Sequence, residues 1–345
     1  MKILAYRFSA FGDVAMTVPA IRSVIEANPE VEITFVSRKV FEPLFYGIPR
    51  FRFYPIDLDE YKGLFGLQRL FKELNGIQKW DFILDLHSVM RTWILNSFFR
   101  VSGHRVHGLN KGRGEKQVLT RKKDKILAPL KHSTERTLDV FRSTGLDVSL
   151  KFEKSILSNP SDQNQKSLDV FLENRQLVKT SPWIAIAPFS IHKQKEWALD
   201  RIQELIQALS KRGYSMFLFG AGEKEENKLK ELEAAYNNTF NLAGVLTLEQ
   251  EMLLLNKIDV MVSMDSFNMH LASLMGVQVV SIWGATHSFA GFGPLGPSAN
   301  LIVQRDDLTC RPCSVFGNKA CFRKDLACLD IQTAKVLEQI EIVLS

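Results

Sequence analysis

The stretch Val260-Met261-Val262-Ser263-Met264-Asp265-Ser266-Phe267-Asn268-Met269-His270-Leu271-Ala272 decides how the rest of this chain is read. Its apolar, β-rich first half stops at Asp265. Ser266 or Asn268 is then placed to cap a helix that carries His270 in its first turn. A strand running into a helix in this way gathers free backbone N–H groups, the positive end of a helix dipole, a hydroxyl and an imidazole. That is a site for an anion, and a diphosphate is the obvious candidate. Near the other end of the chain the matching junction, Ser9-Ala10-Phe11-Gly12-Asp13, carries a carboxylate instead. A phosphate-binding half and a carboxylate-bearing half together suggest group transfer.

Outward from these two junctions, strand and helix patterns alternate along both halves, which points to an α/β protein with mainly parallel sheets. In the first half the pattern predicts strands at 2–8, 32–37, 52–56 and 82–86, with helices at 14–27, 64–74, 89–99 and 134–145. In the second it predicts strands at 183–187, 215–219, 240–242, 259–263 and 277–283, and a closing helix at 332–344. A chain of 345 residues exceeds one ordinary core. The expected division is residues 1–157, a polar connection over 158–182 with an embedded helix at 165–173, and residues 183–345. Ligands are expected at the carboxyl ends of the strands, in a cleft between the halves.

Composition narrows the function. The 46% hydrophobic and 24% charged content is that of a globular protein. No window approaches the ~18 consecutive apolar residues of a membrane span. The N-terminal strand is too short for a signal-peptide core, so a cytoplasmic location is expected. No G-x-x-x-x-G-K-[ST] occurs, and Glu225 stands where a third glycine would complete a dinucleotide fingerprint after Gly220-Ala221-Gly222. Both facts count against a P-loop ATPase and a nicotinamide or flavin enzyme.

Four features carry chemistry. Asp13 reads either as a helix cap or dipole partner, or as a general base. The loop Pro188-Phe189-Ser190-Ile191-His192-Lys193-Gln194-Lys195-Glu196-Trp197 is either a solvated Lys-rich turn or a holder of phosphate oxygens, with Trp197 as a packing anchor. The net charge is +6, yet residues 100–136 alone hold 11 Lys/Arg against 3 acids. That segment is either a solvated face or a patch drawing in an anionic acceptor, a membrane surface or nucleic acid. Its near lack of aromatic residues argues against single-stranded nucleic acid. Lastly, Cys310, Cys313, Cys321 and Cys328 fall within 19 residues. The spacing suits a tetrahedral structural zinc, but reduced, partly buried thiols are the preferred reading, and neither is catalytic.

Taken together these residues resemble glycosyltransferase family 9, the ADP-heptose:lipopolysaccharide heptosyltransferase family. The resemblance rests on Arg7-Phe8-Ser9-Ala10-Phe11-Gly12-Asp13-Val14 with Pro19, on Lys195-Glu196-Trp197 and on Phe219-Gly220-Ala221-Gly222-Glu223. It continues through the stretch from Asp265 to Ala272 and Trp283-Gly284-Ala285-Thr286. A cysteine cluster before a terminal helix also recurs in many members. The resemblance implies a GT-B fold of two Rossmann-like domains, the C-terminal one binding the donor. It implies inverting transfer of heptose from ADP-heptose to a lipopolysaccharide core, with no cofactor or metal ion required. By the same resemblance Asp13 is the base, Lys195 neutralises the diphosphate, and Glu223 contacts the ribose. Ser190, Asp265, Ser266, His270, Gly284 and Thr286 then surround the donor. Arg113, Lys116 and Arg121 become candidates for contacting an anionic, lipid-linked saccharide, by a monomer loosely held at the cytoplasmic face of the inner membrane.

Two positions depart from the family pattern: Phe267 stands where a glycine is usual, and Ala198 where a proline is common. Phe267 keeps open the transfer of another nucleotide sugar to a capsule or O-antigen acceptor. A sugar epimerase fits the Gly12-Asp13 loop less well. A non-catalytic glycan-binding paralogue fits poorly with Asp13 and Lys195 both present, and a nucleic-acid binder fits least.

Overall fold

The computed structural model describes residues 1–151, 154, 161–296, 298 and 301–345. The boundary expected at residue 157 and the first residues of the expected connection, 158–160, lie outside them.

Two parallel sheets organise the chain. The first contains β1 (Lys2–Tyr6), β2 (Glu32–Arg38), β3 (Phe51–Ile56), β4 (Phe82–Asp85) and β5 (Val106–Gly108), in the order β3-β2-β1-β4-β5. The second contains β6 (Trp183–Ala187), β7 (Ser215–Leu218), β8 (Thr239–Asn241), β9 (Val260–Met264), β10 (Gln278–Trp283) and β11 (Ile302–Gln304). Its order is β11-β10-β9-β6-β7-β8. Helices cover both faces, so the central strands are mostly apolar runs rather than alternating ones, and β6 and β9 are buried at every position.

Each order reverses once, between β1 and β4 and between β6 and β9. At such a reversal the chains leaving the two central strands diverge, and a crevice opens beyond their carboxyl ends. Register puts the two sides of each crevice level: Tyr6 lies opposite Asp85, and Ala187 opposite Ser263. The rigidity beneath comes from packing. Leu4, Tyr6, Leu70, Ile83, Leu95 and Phe99 form the core under the first crevice. Ile184, Ile186, Leu205, Val260 and Val262 form the second, joined by Val336 and Ile340 of the terminal helix Thr333–Leu344.

The chain divides into two compact units, Met1–Gly112 with Lys131–Phe152, and Arg113–Leu130 with Glu153–Ser345. The segment 113–130, assigned to the first half by a linear reading, belongs to the second unit. Its helix Arg113–Thr120 buries Lys116, Leu119 and Thr120, and the Leu130 N–H donates to the Phe289 carbonyl at 2.9 Å. Helix Asp162–Asn174, in the expected connection, is also part of that unit. Ser161 N–H and Asn164 Nδ2 donate to the Glu249 carboxylate at 2.8 and 2.7 Å. Among the described residues no helix is long and apolar enough to cross a membrane.

Candidate functional site

In the first unit, Arg7 follows β1 directly, and its side chain is only 4% exposed. A cation closing a buried strand must be compensated, and here it is held from three sides. NH1 donates to the Leu86 carbonyl at 2.5 Å, Nε to the Ser9 carbonyl at 3.2 Å, and NH2 pairs with Asp13 Oδ2 at 2.9 Å. The N-cap of helix Phe11–Ala15 is Ala10, so Asp13 is not the cap; it lies in the first turn and faces Arg7. Its side chain keeps 29% exposure. The carboxylate is thus oriented by a fixed guanidinium and still reachable from solvent.

The other side of this crevice is built on Asp85, which ends β4 and is fully buried. Its carboxylate accepts from the His87 and Ser88 N–H groups at 2.9 and 2.8 Å and from Asn96 Nδ2 at 2.8 Å. Asn96 in turn accepts from the Tyr6 hydroxyl. These bonds hold a tight turn, with Ser88 at φ +48°, that sets His87 Nε2 3.2 Å from Ser9 Oγ. Burial, reinforced by the positive charges of Arg7 and Lys111, pulls the His87 imidazole down to about 3. It is therefore neutral at neutral pH. Its Nδ1 is buried with no hydrogen-bond partner among the described residues.

In the second unit, Lys195 Nζ pairs with Asp265 Oδ2 at 2.8 Å and donates to the Asp265 backbone carbonyl at 3.0 Å. This joins the loop after β6 to the end of β9. Trp197 pins the loop: it is 2% exposed, its N–H meets Met264 Sδ at 3.4 Å, and Nε1 donates to the Ile331 carbonyl at 3.0 Å. The lysine stem runs over Gly317, where an added Cβ would come within 2.7 Å of Lys195 Cγ. Ser266 occupies the N-cap of helix Phe267–Leu274 but makes no capping bond, its hydroxyl lying 3.2 Å from Ser263 Oγ. That side chain leaves the N–H groups of the first turn to other acceptors. A helix N-terminus beside a fixed ammonium suits phosphate oxygens. His270 sits in the same helix, 8% exposed, with Phe267 half-buried at its start.

The remaining candidates fall in different surroundings. Ser190 is half-buried, its N–H 3.4 Å from Glu196 Oε1. Glu223 is exposed at the start of helix Glu223–Ala235, beyond β7. Gly284 is hemmed in, since a Cβ there would lie 2.5 Å from the Gln194 carbonyl oxygen. Thr286 is fully buried, and its Oγ1 has no partner among the described residues. Both lie under Arg311, whose Nε donates to the Gly284 carbonyl at 2.6 Å and NH2 to those of Trp283 and Thr286 at 3.0 and 3.1 Å. NH1 reaches the Arg305 carbonyl at 3.1 Å, and NH2 also reaches Gln304 Oε1 at 3.0 Å.

The basic segment is less open than its charge suggests. Lys116, expected at an acceptor surface, is instead buried with Nζ 4.1 Å from the centroid of Phe292, where the ring quadrupole attracts the cation. Arg121 donates to the Asp124 carbonyl, while Arg113 is exposed. The four cysteines are unbridged. No sequence motif marks Asp85, His87 or Arg311, and the motif that contains Arg7 gives it no role. The available signal was a charge ending an otherwise apolar strand, as Asp85 does and Arg7 nearly does.

The model of glycosyltransferase family 9 (heptosyltransferase) matches residues 67–320. A lipopolysaccharide core heptosyltransferase, OpsX, of Haemophilus influenzae is 24% identical over 303 residues, covering 86% of this chain and 82% of its own. A glycosyl transferase family 9 structure from Veillonella parvula superposes with a TM-score of 0.76 at 17% identity, covering 99% of this chain and 97% of that one. The E. coli ADP-heptose heptosyltransferase II structure gives 0.71 at 22% identity, covering 100% and 98%.

Proposed function

Because the chain belongs to glycosyltransferase family 9, we propose that it moves a heptose from ADP-heptose onto the inner core of lipopolysaccharide, with inversion and without a catalytic metal ion. That it is a glycosyltransferase with the two-sheet GT-B fold follows from the family and the fold. The donor sugar and acceptor are supported by relatives of matching length that carry the heptosyltransferase name. The observation that carries the chemistry is an ion pair beyond the central strands of each unit, Arg7–Asp13 in the first and, in the second, Lys195–Asp265 beside a helix start without a side-chain cap.

In this reading Asp13 takes the proton from an acceptor hydroxyl as that oxygen attacks the anomeric carbon. Arg7 keeps the carboxylate aimed. The C–O bond to the diphosphate breaks on the opposite face, and the charge released there is met by Lys195 and by the N–H groups at the start of helix Phe267–Leu274. Asp265 holds the ammonium at that point, Glu223 contacts the ribose, and Ser190, Ser266 and His270 line the donor. Exposed cations of the basic segment, Arg113 among them, steer an anionic lipid-linked acceptor at the cytoplasmic membrane face. Phe267 favours a second reading in which the sugar is not heptose, because its ring stands at the helix start that would face the donor.

The test is ADP release from ADP-heptose with a deacylated core acceptor, run beside other nucleotide sugars and beside Asp13→Asn. Acceptor-dependent release that falls about 10²–10⁴-fold in the variant, the range for loss of a general base, is expected. Turnover with a different donor would overturn the heptose assignment. An Asp13→Asn protein as fast as wild type would overturn the mechanism.

A further inference from the structure

The cysteine-rich segment between β11 and the terminal helix takes no part in this chemistry. Cys310, Cys313, Cys321 and Cys328 all line one cavity of about 10 Å³, closed by Ala285, Arg311 and Leu326. That is room for a single ion or water and for no organic ligand. The chain turns tightly around it, with Gly317, Lys324 and Leu326 all in the left-handed region at φ +74°, +65° and +46°. Cys321 opens the second turn, its backbone carbonyl accepting from the Lys324 N–H at 3.2 Å. Arg323, paired with Asp325 at 2.8 Å, lines the cavity, and Lys125 Nζ donates to the Cys310 carbonyl at 2.8 Å. Arg311 is buried on the same cavity.

Four sulfurs line one ion-sized cavity, with Arg311 and Arg323 on its wall against the single carboxylate of Asp325. This matches what four thiolates around a divalent ion require, since that group carries two surplus negative charges. We propose that these four cysteines bind one such ion as a tetrahedral tetrathiolate site, zinc or iron(II) being the ions this donor set selects. Among the described residues no three potential ligands already surround a common point. Binding therefore rotates the sulfurs inward to a common point.

The ion also reaches the donor site. Gly317 lies in the loop between Cys313 and Cys321, and it forms the wall along Cγ, Cδ and Cε of Lys195. Tying both ends of that loop to one ion fixes the wall, and so the lysine is a positioned group. Only this last step rests on Lys195 being the cation for the diphosphate.

The full chain, purified under reducing conditions without chelator, should carry about one zinc or iron per chain. Exchange into cobalt(II) should give thiolate-to-cobalt charge-transfer absorption with intense tetrahedral d–d bands. A mercurial should release the ion in step with titration of four thiols, a measurement on wild type that stands if Cys313→Ser or Cys321→Ser fails to fold. Less than about 0.2 ion per chain with no cobalt charge-transfer band, or a disulfide among the four, overturns the site. Stripping the ion should weaken ADP binding at least about fivefold, the lower end of coupling between sites. Unchanged ADP affinity overturns the link to Lys195, as does absence of ADP binding in both forms, which would also sink the donor reading while leaving the metal count intact.

Discussion

Replacing Arg311 with methionine removes the group that ties down the chain after β10 while keeping most of the stem volume. The guanidinium serves the carbonyls of Trp283, Gly284, Thr286 and Arg305 together with Gln304 Oε1. Trp283, Gly284 and Thr286 are themselves buried, so water cannot take over without opening the fold. Each stranded buried acceptor is worth roughly 1–3 kcal/mol. Five acceptors sharing one partner do not sum, and release of the buried cation offsets part of the loss, burial having already pulled its pKa down. The net effect is about 3–5 kcal/mol, the scale of breaking a buried polar network. For a unit of this size that lowers its melting temperature by roughly 10 °C. Calorimetry on the full chain should show the second unit's transition moving and the first unit's staying in place, with hydrogen exchange accelerated at 283–286. Arg311→Lys keeps the charge but reaches fewer carbonyls, and should recover less than about half of the loss. A shift below about 2 °C for methionine, or full recovery by lysine, would refute the reasoning.

Three further outcomes follow from the same geometry. Lys195→Gln should lower kcat/KM about 10²–10³-fold with little change in circular dichroism, and Asp265→Asn, which frees the lysine without removing it, should lower it less; equal losses would show that the pair acts only through folding. Asp85→Asn replaces an acceptor of three hydrogen bonds with a group that must turn one donor inward, and should destabilise the first unit by about 2–4 kcal/mol in urea titrations; an unmoved midpoint would contradict the network around Tyr6, Asn96 and His87. Acid sensitivity should come from His87 and His287, which burial and neighbouring arginines pull down to about 3 and about 4. The unfolded chain takes up these protons near pH 6.5 and the folded chain does not, so their contribution is full above pH 6.5 and is lost as pH falls toward 4 and then 3. Urea midpoints that stay level between pH 7 and 4.5 would count against it.

Most strands and helices were legible because parallel sheets demand apolar strands, and helices following them demand a 3.6-residue pattern. Residues 183–187, all apolar, were read as β6 to the residue. What escaped is short or polar. Val106–Gly108 and Ile302–Gln304 are three-residue edge strands, too brief to show a period. Helix Arg113–Thr120 buries Lys116 against an aromatic ring, so a residue that reads as surface does the work of an apolar one. The two crevices were visible as junction motifs, since Asp13, Lys195 and Asp265 each sit just past a strand. Their pairings were not, because Arg7 meets Leu86 and Arg311 meets Trp283 only through the tertiary fold. Spacing also could not tell whether four cysteines share a cavity.

The excursion of residues 113–130 into the second unit bears on how the protein is made. Lys116 leaves the ribosome about 170 residues ahead of Phe292, a delay on the order of 10–30 s at ordinary synthesis rates. For that time the first unit can close only around an eighteen-residue insert holding six Lys/Arg and two acids, whose own partners do not yet exist. Closing a loop of that length adds little entropy cost, but an uncovered basic tether attracts RNA and anionic lipid. A fragment ending near residue 150 would keep that tether permanently bare, so no single cut separates the chain into two self-sufficient pieces.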